Sequence, residues 1–316
     1  MEINLDNSLF KAEQKRAPIA LFVYNRPIHT RRTVQCLEKN EGAQESVLYI
    51  FSDAEKSVSD KSSVEEVRKF IHEITGFKQV FIIEQTENLG LARSIINGVT
   101  CLCEKHGSVI VLEDDLETSP YFLNFMNEAL GFYENTTEVM HISGCRYPAE
   151  PFGKDDTFFL QVPLCWGWAT WQRAWITFDK NISVMNRFNR TMIKRFDFDN
   201  TYSYWKQLEL NRTGKLNTWF VFWYANLFLR GGLSLFPARS LVSNIGFDSS
   251  GENCGSNSDF IFKLSETPVK VAPIPIVNSS TGFELHKKFF RKVNPKLIGK
   301  ILRKISRLAT RIGHMN

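Results

Sequence analysis

The chain has 316 residues, 43% hydrophobic and 23% charged, an ordinary globular balance with enough length for one large or two smaller domains. Its net charge of +5 is uneven: six Lys and four Arg, with no acid, fall between Leu285 and Asn316, which leaves −5 on the 284 residues before them. No apolar run approaches the ~20 residues that cross a bilayer, the N-terminus shows no secretory pattern, and the six Cys form no CxxC pair, so the expectation is a cytosolic chain with reduced core thiols and no structural zinc.

In chain order, residues 1–17 are polar and read as an N-terminal arm. Pro18 to Tyr24 is the first strand, and Asn25-Arg26-Pro27 turns the chain into a helix over Ile28 to Glu38. Val47 to Phe51 is a second strand ending in Ser52-Asp53, followed by a Ser/Lys/Asp-rich loop and a helix over Val64 to Ile74. Gln79 to Ile83 is the third strand, and Asn88-Leu89-Gly90 opens a helix through Arg93 to about Cys103.

Ser108 to Leu112 is the fourth strand, and it ends abruptly in Glu113-Asp114-Asp115. A short apolar run bounded by polar residues is the signature of a strand buried on both faces of a parallel sheet. Ligands bind at the carboxyl ends of such strands. Three adjacent carboxylates there repel one another and call for a cation, for which a hard divalent ion with oxygen ligands is suited. The plainer alternative is a helix entry, with Ser119 as cap and Pro120 in the first turn. Capping needs one acidic residue, not three.

Strands are expected again at Val139 to Ser143 and Phe158 to Val162. Alternating strands and helices predict an α/β fold with a mostly parallel sheet flanked by helices. All seven Trp then fall between Trp166 and Trp223, a cluster that can serve packing or stack on sugar rings. From Asn294, apolar residues fall on one helical stripe with Lys and Arg covering the remainder, a basic amphipathic helix over 294–312 suited to an anionic membrane surface. A helix packed on the body is the alternative, and no nucleic-acid motif accompanies it.

The order Tyr24-Asn25-Arg26-Pro27, Ser52-Asp53, Asn88-Leu-Gly-Leu-Ala-Arg93, Glu113-Asp114-Asp115 and Cys165-Trp-Gly-Trp168-Ala-Thr-Trp171 resembles nucleotide-sugar glycosyltransferases of the GT-A fold. The similar branch includes N-acetylglucosaminyltransferase I and bacterial polysaccharide and O-antigen transferases. The resemblance spans about Pro18 to Cys254. It implies a Rossmann-like domain with a donor-binding half, 18–145, and a continuous acceptor-binding half, 146–284, before a basic tail over 285–316. The donor would be a nucleoside-diphosphate sugar, UDP favoured, held by Asn25, Arg26, Asp53, Asn88, Arg93, Glu113 and Asp114. Asp115 would ligate Mn²⁺ or Mg²⁺, and Trp166 and Trp168 would meet a glycan or lipid-linked acceptor.

Related inverting enzymes carry a catalytic base in a Trp-Asp-x-x-Trp arrangement. Here the matching stretch is Trp219-Phe220-Val-Phe-Trp223, so Phe220 stands where that base would be. Asp248 and Glu252, in a Gly/Ser-rich loop, are the remaining candidates, with Asp155, Asp156 and Asp179 behind them. The resulting expectation is a metal-dependent, inverting enzyme of bacterial surface polysaccharide synthesis, attached to the inner face of the cytoplasmic membrane. The alternative is a sugar- or nucleotide-binding protein that has lost catalysis. A nucleotidyltransferase would carry a Gly-rich phosphate loop after the first strand, which Tyr24-Asn-Arg-Pro lacks.

Overall fold

The computed structural model describes residues 16–147, 155–247 and 262–293. Its first four strands, β1 (Ile19–Val23), β2 (Val47–Ser52), β3 (Gln79–Glu84) and β4 (Ser108–Glu113), lie in the order β3-β2-β1-β4, all parallel. The burial of β1 explains its unbroken apolar sequence. Ile19, Leu21 and Val23 pack under α1 (Pro27–Glu38) and α2 (Lys61–Ile71), while Ala20 and Phe22 pack against α3 (Leu91–His106) on the other face. Both faces are dry, so no polar position alternates in.

The sheet continues as β4-β8-β6-β9-β7, built from β6 (Val139–Ser143), β7 (Thr157–Leu160), β8 (Trp168–Trp171) and β9 (Leu233–Pro237). Strands β8 and β7 run against their neighbours, while β6 and β9 are parallel to each other. The chain therefore adopts the expected α/β class, with a mostly parallel sheet flanked by helices. Helices α4 (Phe122–Phe132), α5 (Gln172–Trp175), α6 (Arg190–Phe196), α7 (Tyr204–Arg212), α8 (Phe220–Leu229) and α9 (Ser280–Lys292) complete the layers.

Several details differ from the sequence reading. The segment after the carboxylates forms a three-residue strand, β5 (Leu116–Thr118), which pairs antiparallel with β10 (Val242–Asn244). Helix α4 begins at Phe122, and Ser119 is not its cap; its Oγ donates to the Ser265 carbonyl at 2.7 Å, tying two distant loops together. Among the described residues only Cys103 and Cys145 are core thiols, since Cys36 and Cys165 are half-buried and Cys101 is exposed; these five are free. The boundary drawn at 285 falls inside α9, whose Phe289 and Phe290 are buried among Tyr147, Phe198 and Tyr202, so residues 285–293 belong to the body. The stripe over 294–312 lies outside the described residues.

One backbone feature was not foreseen. Phe198, Asp199 and Asn200 all have positive φ (48°, 53° and 63°), a conformation unfavourable for side-chain-bearing residues. The chain holds it with long-range contacts: Phe198 stacks on Phe283 at 5.0 Å, and Asp199 accepts from Lys287 Nζ at 2.8 Å. Both partners are on α9.

Candidate functional site

The carboxyl edge of β1, β2 and β4 gathers the charged residues singled out above. The β1–α1 turn carries Arg26, whose Nη1 lies 2.8 Å from Asp115 Oδ2 and 3.7 Å from Asp114 Oδ1. The side chains of all three are at most 14% exposed, so this ion pair is largely shielded from water and salt. Asp114 and Asp115 thus already meet a cation from within the chain.

Local structure explains why they converge. Thr33 on α1 donates its hydroxyl to the Asp114 carbonyl at 2.8 Å and accepts the Leu116 N–H at 3.1 Å, clamping the turn after β4 to the helix after β1. From the other side, the β5–β10 ribbon brings Ile245 N–H to the Asp115 carbonyl at 2.8 Å. Gly246 then lies so close that a Cβ there would collide with Asp115 Oδ2 and crowd Arg26 Nη2. The residue must be glycine for the backbone to roof this pair.

The charges perturb one another in a definite order. Burial pushes the Glu113 carboxyl well above the usual range, with Asp115 and Asp114 adding to it and Arg26 opposing. Burial, then the Asp115 charge, raises Asp114 to about 7, against the pull of Arg26.

Asp53 is held by donors of the segments that follow β2 and β3. Its Oδ1 accepts from the Ala54 and Leu89 amides at 3.0 and 2.9 Å, and its Oδ2 from the Gly90 amide and Asn88 Nδ2 at 2.8 and 3.2 Å. A carboxylate has about four acceptor positions, and these four donors fill them. Asp53 shapes the Asn88-Leu89-Gly90 wall. Asn88 also donates to the Ala54 carbonyl at 2.7 Å. Beside this wall is a cavity of about 170 Å³ lined by Phe51, Asp53, Gln85, Leu89, Ser94, Asn97, Gly98 and Cys101.

Asn25 and Arg93 are drawn away from the carboxylates. Asn25 Nδ2 donates to Asp60 Oδ1 at 3.0 Å, and Arg93, 64% exposed, pairs with Glu87 at 3.7 Å on the surface. The two tryptophans assigned to the acceptor part company. Trp168 is fully buried, stacked between His141 and Trp219 at 5.2 Å from each, and cannot reach an acceptor. Trp166 is half-buried, with its ring 5.5 and 5.6 Å from those of Phe247 and Phe262, the described residues on either side of the segment that carries Asp248 and Glu252. Those two acids lie outside the described residues.

Of the fallback bases, Asp156 is held by Arg239 at 3.0 Å and by the Lys270 amide, and Asp179 accepts the Asn181 amide at 2.9 Å. Asp155 is exposed, with no role shown. Phe220 is half-buried at the start of α8, edge-on to Trp219 at 5.8 Å. A wider depression of about 530 Å³ lies by the β5–β10 ribbon, lined by Glu117, Tyr121, Ser243, Phe262 and Lys263 among others.

The donor set can be tested against the divalent ion that the resemblance implies. Among the described residues no group of three His, Cys, Asp or Glu side chains could hold a metal. Asp114 and Asp115 do offer hard oxygens side by side, and a cationic Arg26 already stands against them. One or two carboxylates are what magnesium-like ions take from a protein when phosphate oxygens complete the shell. The residues fit an ion shared with a bound phosphate group.

No protein-family model matches the chain, and no curated protein matches it. Among solved structures it is similar to TarS of S. aureus, with 12% identity and a TM-score of 0.30 over 44% of this chain and 24% of that one. It is also similar to the mannosyltransferase PcManGT from Pyrobaculum calidifontis, solved in complex with GDP-Man and Mn²⁺, with 11% identity and a TM-score of 0.36 over 68% and 69% of the two chains. The chain spans about a quarter of the length of TarS.

Proposed function

We propose that this chain is a glycosyltransferase that moves a sugar from a nucleoside-diphosphate donor to a glycan or lipid-linked acceptor. The observation that carries the reading is the meeting of Arg26 and Asp115 from neighbouring strands, at the sheet edge where α/β folds bind ligands. The order of sequence motifs supports the same reading.

In this proposal the Arg26 guanidinium grips the diphosphate, for which its forked donors are suited. Asp114 and Glu113 face the ribose and sugar, and Asp115 faces the cation. A bound Mn²⁺ or Mg²⁺ would supply neutralisation of the charge developing on the leaving diphosphate. An acceptor hydroxyl attacks the anomeric carbon, the sugar–phosphate bond breaks with its electron pair going to the diphosphate, and a carboxylate takes the hydroxyl proton. Asp248 and Glu252 remain the proposed candidates for that base. Anomeric inversion, a role in bacterial surface polysaccharide synthesis and attachment to the inner membrane face through 294–312 belong to the same proposal, the last resting on the basic amphipathic pattern.

A second reading, a binder without turnover, is favoured by one feature, Phe220 at the position where related enzymes carry the base. Donor hydrolysis by wild type and Asp115→Asn, with Mn²⁺ and with EDTA, decides between them. The enzyme reading expects hydrolysis in wild type with Mn²⁺ and a loss of at least a hundredfold in Asp115→Asn. Nucleotide binding without hydrolysis or transfer, across a panel of nucleotide sugars, would establish the binder.

A further inference from the structure

We propose that Arg26 is the resident counter-ion of Asp115, that a divalent ion binds only as Arg26 lets go, and that a diphosphate promotes this by offering the guanidinium another anion. Metal and nucleotide would then bind cooperatively through one side chain. The inference rests on the reading of this edge as a diphosphate and cation site, and adds how the two ligands are coupled.

The argument is one of space and charge. Arg26 Nη1 sits 2.8 Å from Asp115 Oδ2 and 3.7 Å from Asp114 Oδ1, on the side of Asp115 that faces its neighbouring acid. An ion drawing on both carboxylates would have to enter the space this nitrogen fills. A Cβ at Gly246 would collide with Asp115 Oδ2 and crowd Arg26 Nη2, so the backbone there runs close over the pair, while the Ile245 amide donates to the Asp115 carbonyl. An ion shared by both carboxylates therefore competes with Arg26 for the same space.

Two cations in van der Waals reach of one carboxylate also repel each other strongly in a site so shielded from water. Linkage makes the effect reciprocal: whatever draws Arg26 off Asp115 raises metal affinity, and metal on Asp115 raises the fraction of Arg26 available to phosphate. Another arginine nearby is differently placed. Arg32 is bound to Glu117 by Nε and Nη2 at 2.9 and 2.7 Å and is half-exposed, so it is a control for simple loss of positive charge.

The test is Mn²⁺ titration of the intact protein, by calorimetry and by the free-ion EPR signal, with no nucleotide and then with saturating UDP or GDP. Wild type, Arg26→Gln, Arg26→Met and Arg32→Gln are compared, with circular dichroism to confirm that each is folded. Without nucleotide, both Arg26 variants should bind Mn²⁺ at least tenfold more tightly than wild type, and Arg32→Gln within threefold of it. With saturating nucleotide, wild type and the Arg26 variants should converge to within threefold. Equal Mn²⁺ affinity without nucleotide overturns the proposal, as does a tenfold gap that persists once the nucleotide is bound. Failure of every protein to bind Mn²⁺, UDP or GDP overturns the site assignment itself, and this inference with it.

Discussion

Acid should destabilise this protein through His141 in a way that can be isolated. The ring is fully buried, stacked on Trp168, with Nε2 donating to the Leu164 carbonyl at 3.0 Å and Nδ1 accepting the Trp223 indole N–H at 3.2 Å. A second ring proton would point at that indole N–H. Burial lowers the pKa from 6.5 to about 3, although the Leu164 carbonyl opposes the shift. The unfolded chain therefore takes up a proton below pH 6.5 that the folded chain refuses until near pH 3, and stability falls as pH drops through that window. Between 6.5 and pH 5 lie 1.5 units, each worth about 1.4 kcal/mol, which gives about 2 kcal/mol. His141→Gln keeps one donor and one acceptor but does not titrate. Urea unfolding of both proteins at pH 7.5 and pH 5 should show wild type losing about 2 kcal/mol more than the variant. Parallel losses would refute the reasoning, because the contribution of every other titrating group, the buried His286 included, is common to both.

Asp53→Asn replaces an acceptor of four hydrogen bonds with a side chain that must aim an NH₂ at N–H donors. It should cost about 3 kcal/mol and open the 88–90 loop to proteolysis, read by urea midpoint and limited digestion. Trp168→Ala should cost about 3–5 kcal/mol by leaving a void in the core, whereas a change confined to acceptor KM, with stability intact, would restore its binding role.

The N-terminal half was legible because its strands are buried on both faces, so each reads as a plain apolar run bounded by turns. The carboxylate edge was legible for a related reason: acids have no business ending a buried strand unless a cation meets them there. What the sequence hid depends on partners far along the chain. Strand β8 lies inside an aromatic-rich stretch, and its placement between β4 and β6 is decided by pairing with residues 25 to 63 positions earlier. Trp166 and Trp168 look equivalent by composition, yet the first precedes the strand while the second points into the core beneath α8. Asp53 sits where a ligand-binding acid is expected, and only the fold shows that backbone amides thirty-six and thirty-seven residues away have claimed it.

The left-handed turn at 198–200 has a consequence for how the chain is made. A chain emerging N-terminus first has all of the β3-β2-β1-β4 sheet once Glu113 is out, and that unit can begin to pack while synthesis continues. The turn has no such independence. Phe283 and Lys287, which hold Phe198 and Asp199 in their unfavourable conformation, are translated more than eighty residues later. Until α9 arrives, the segment around Asp199 has every local reason to relax into another shape. The last described helix is thus a latch on the second half of the domain, closed by residues made long after the turn they hold.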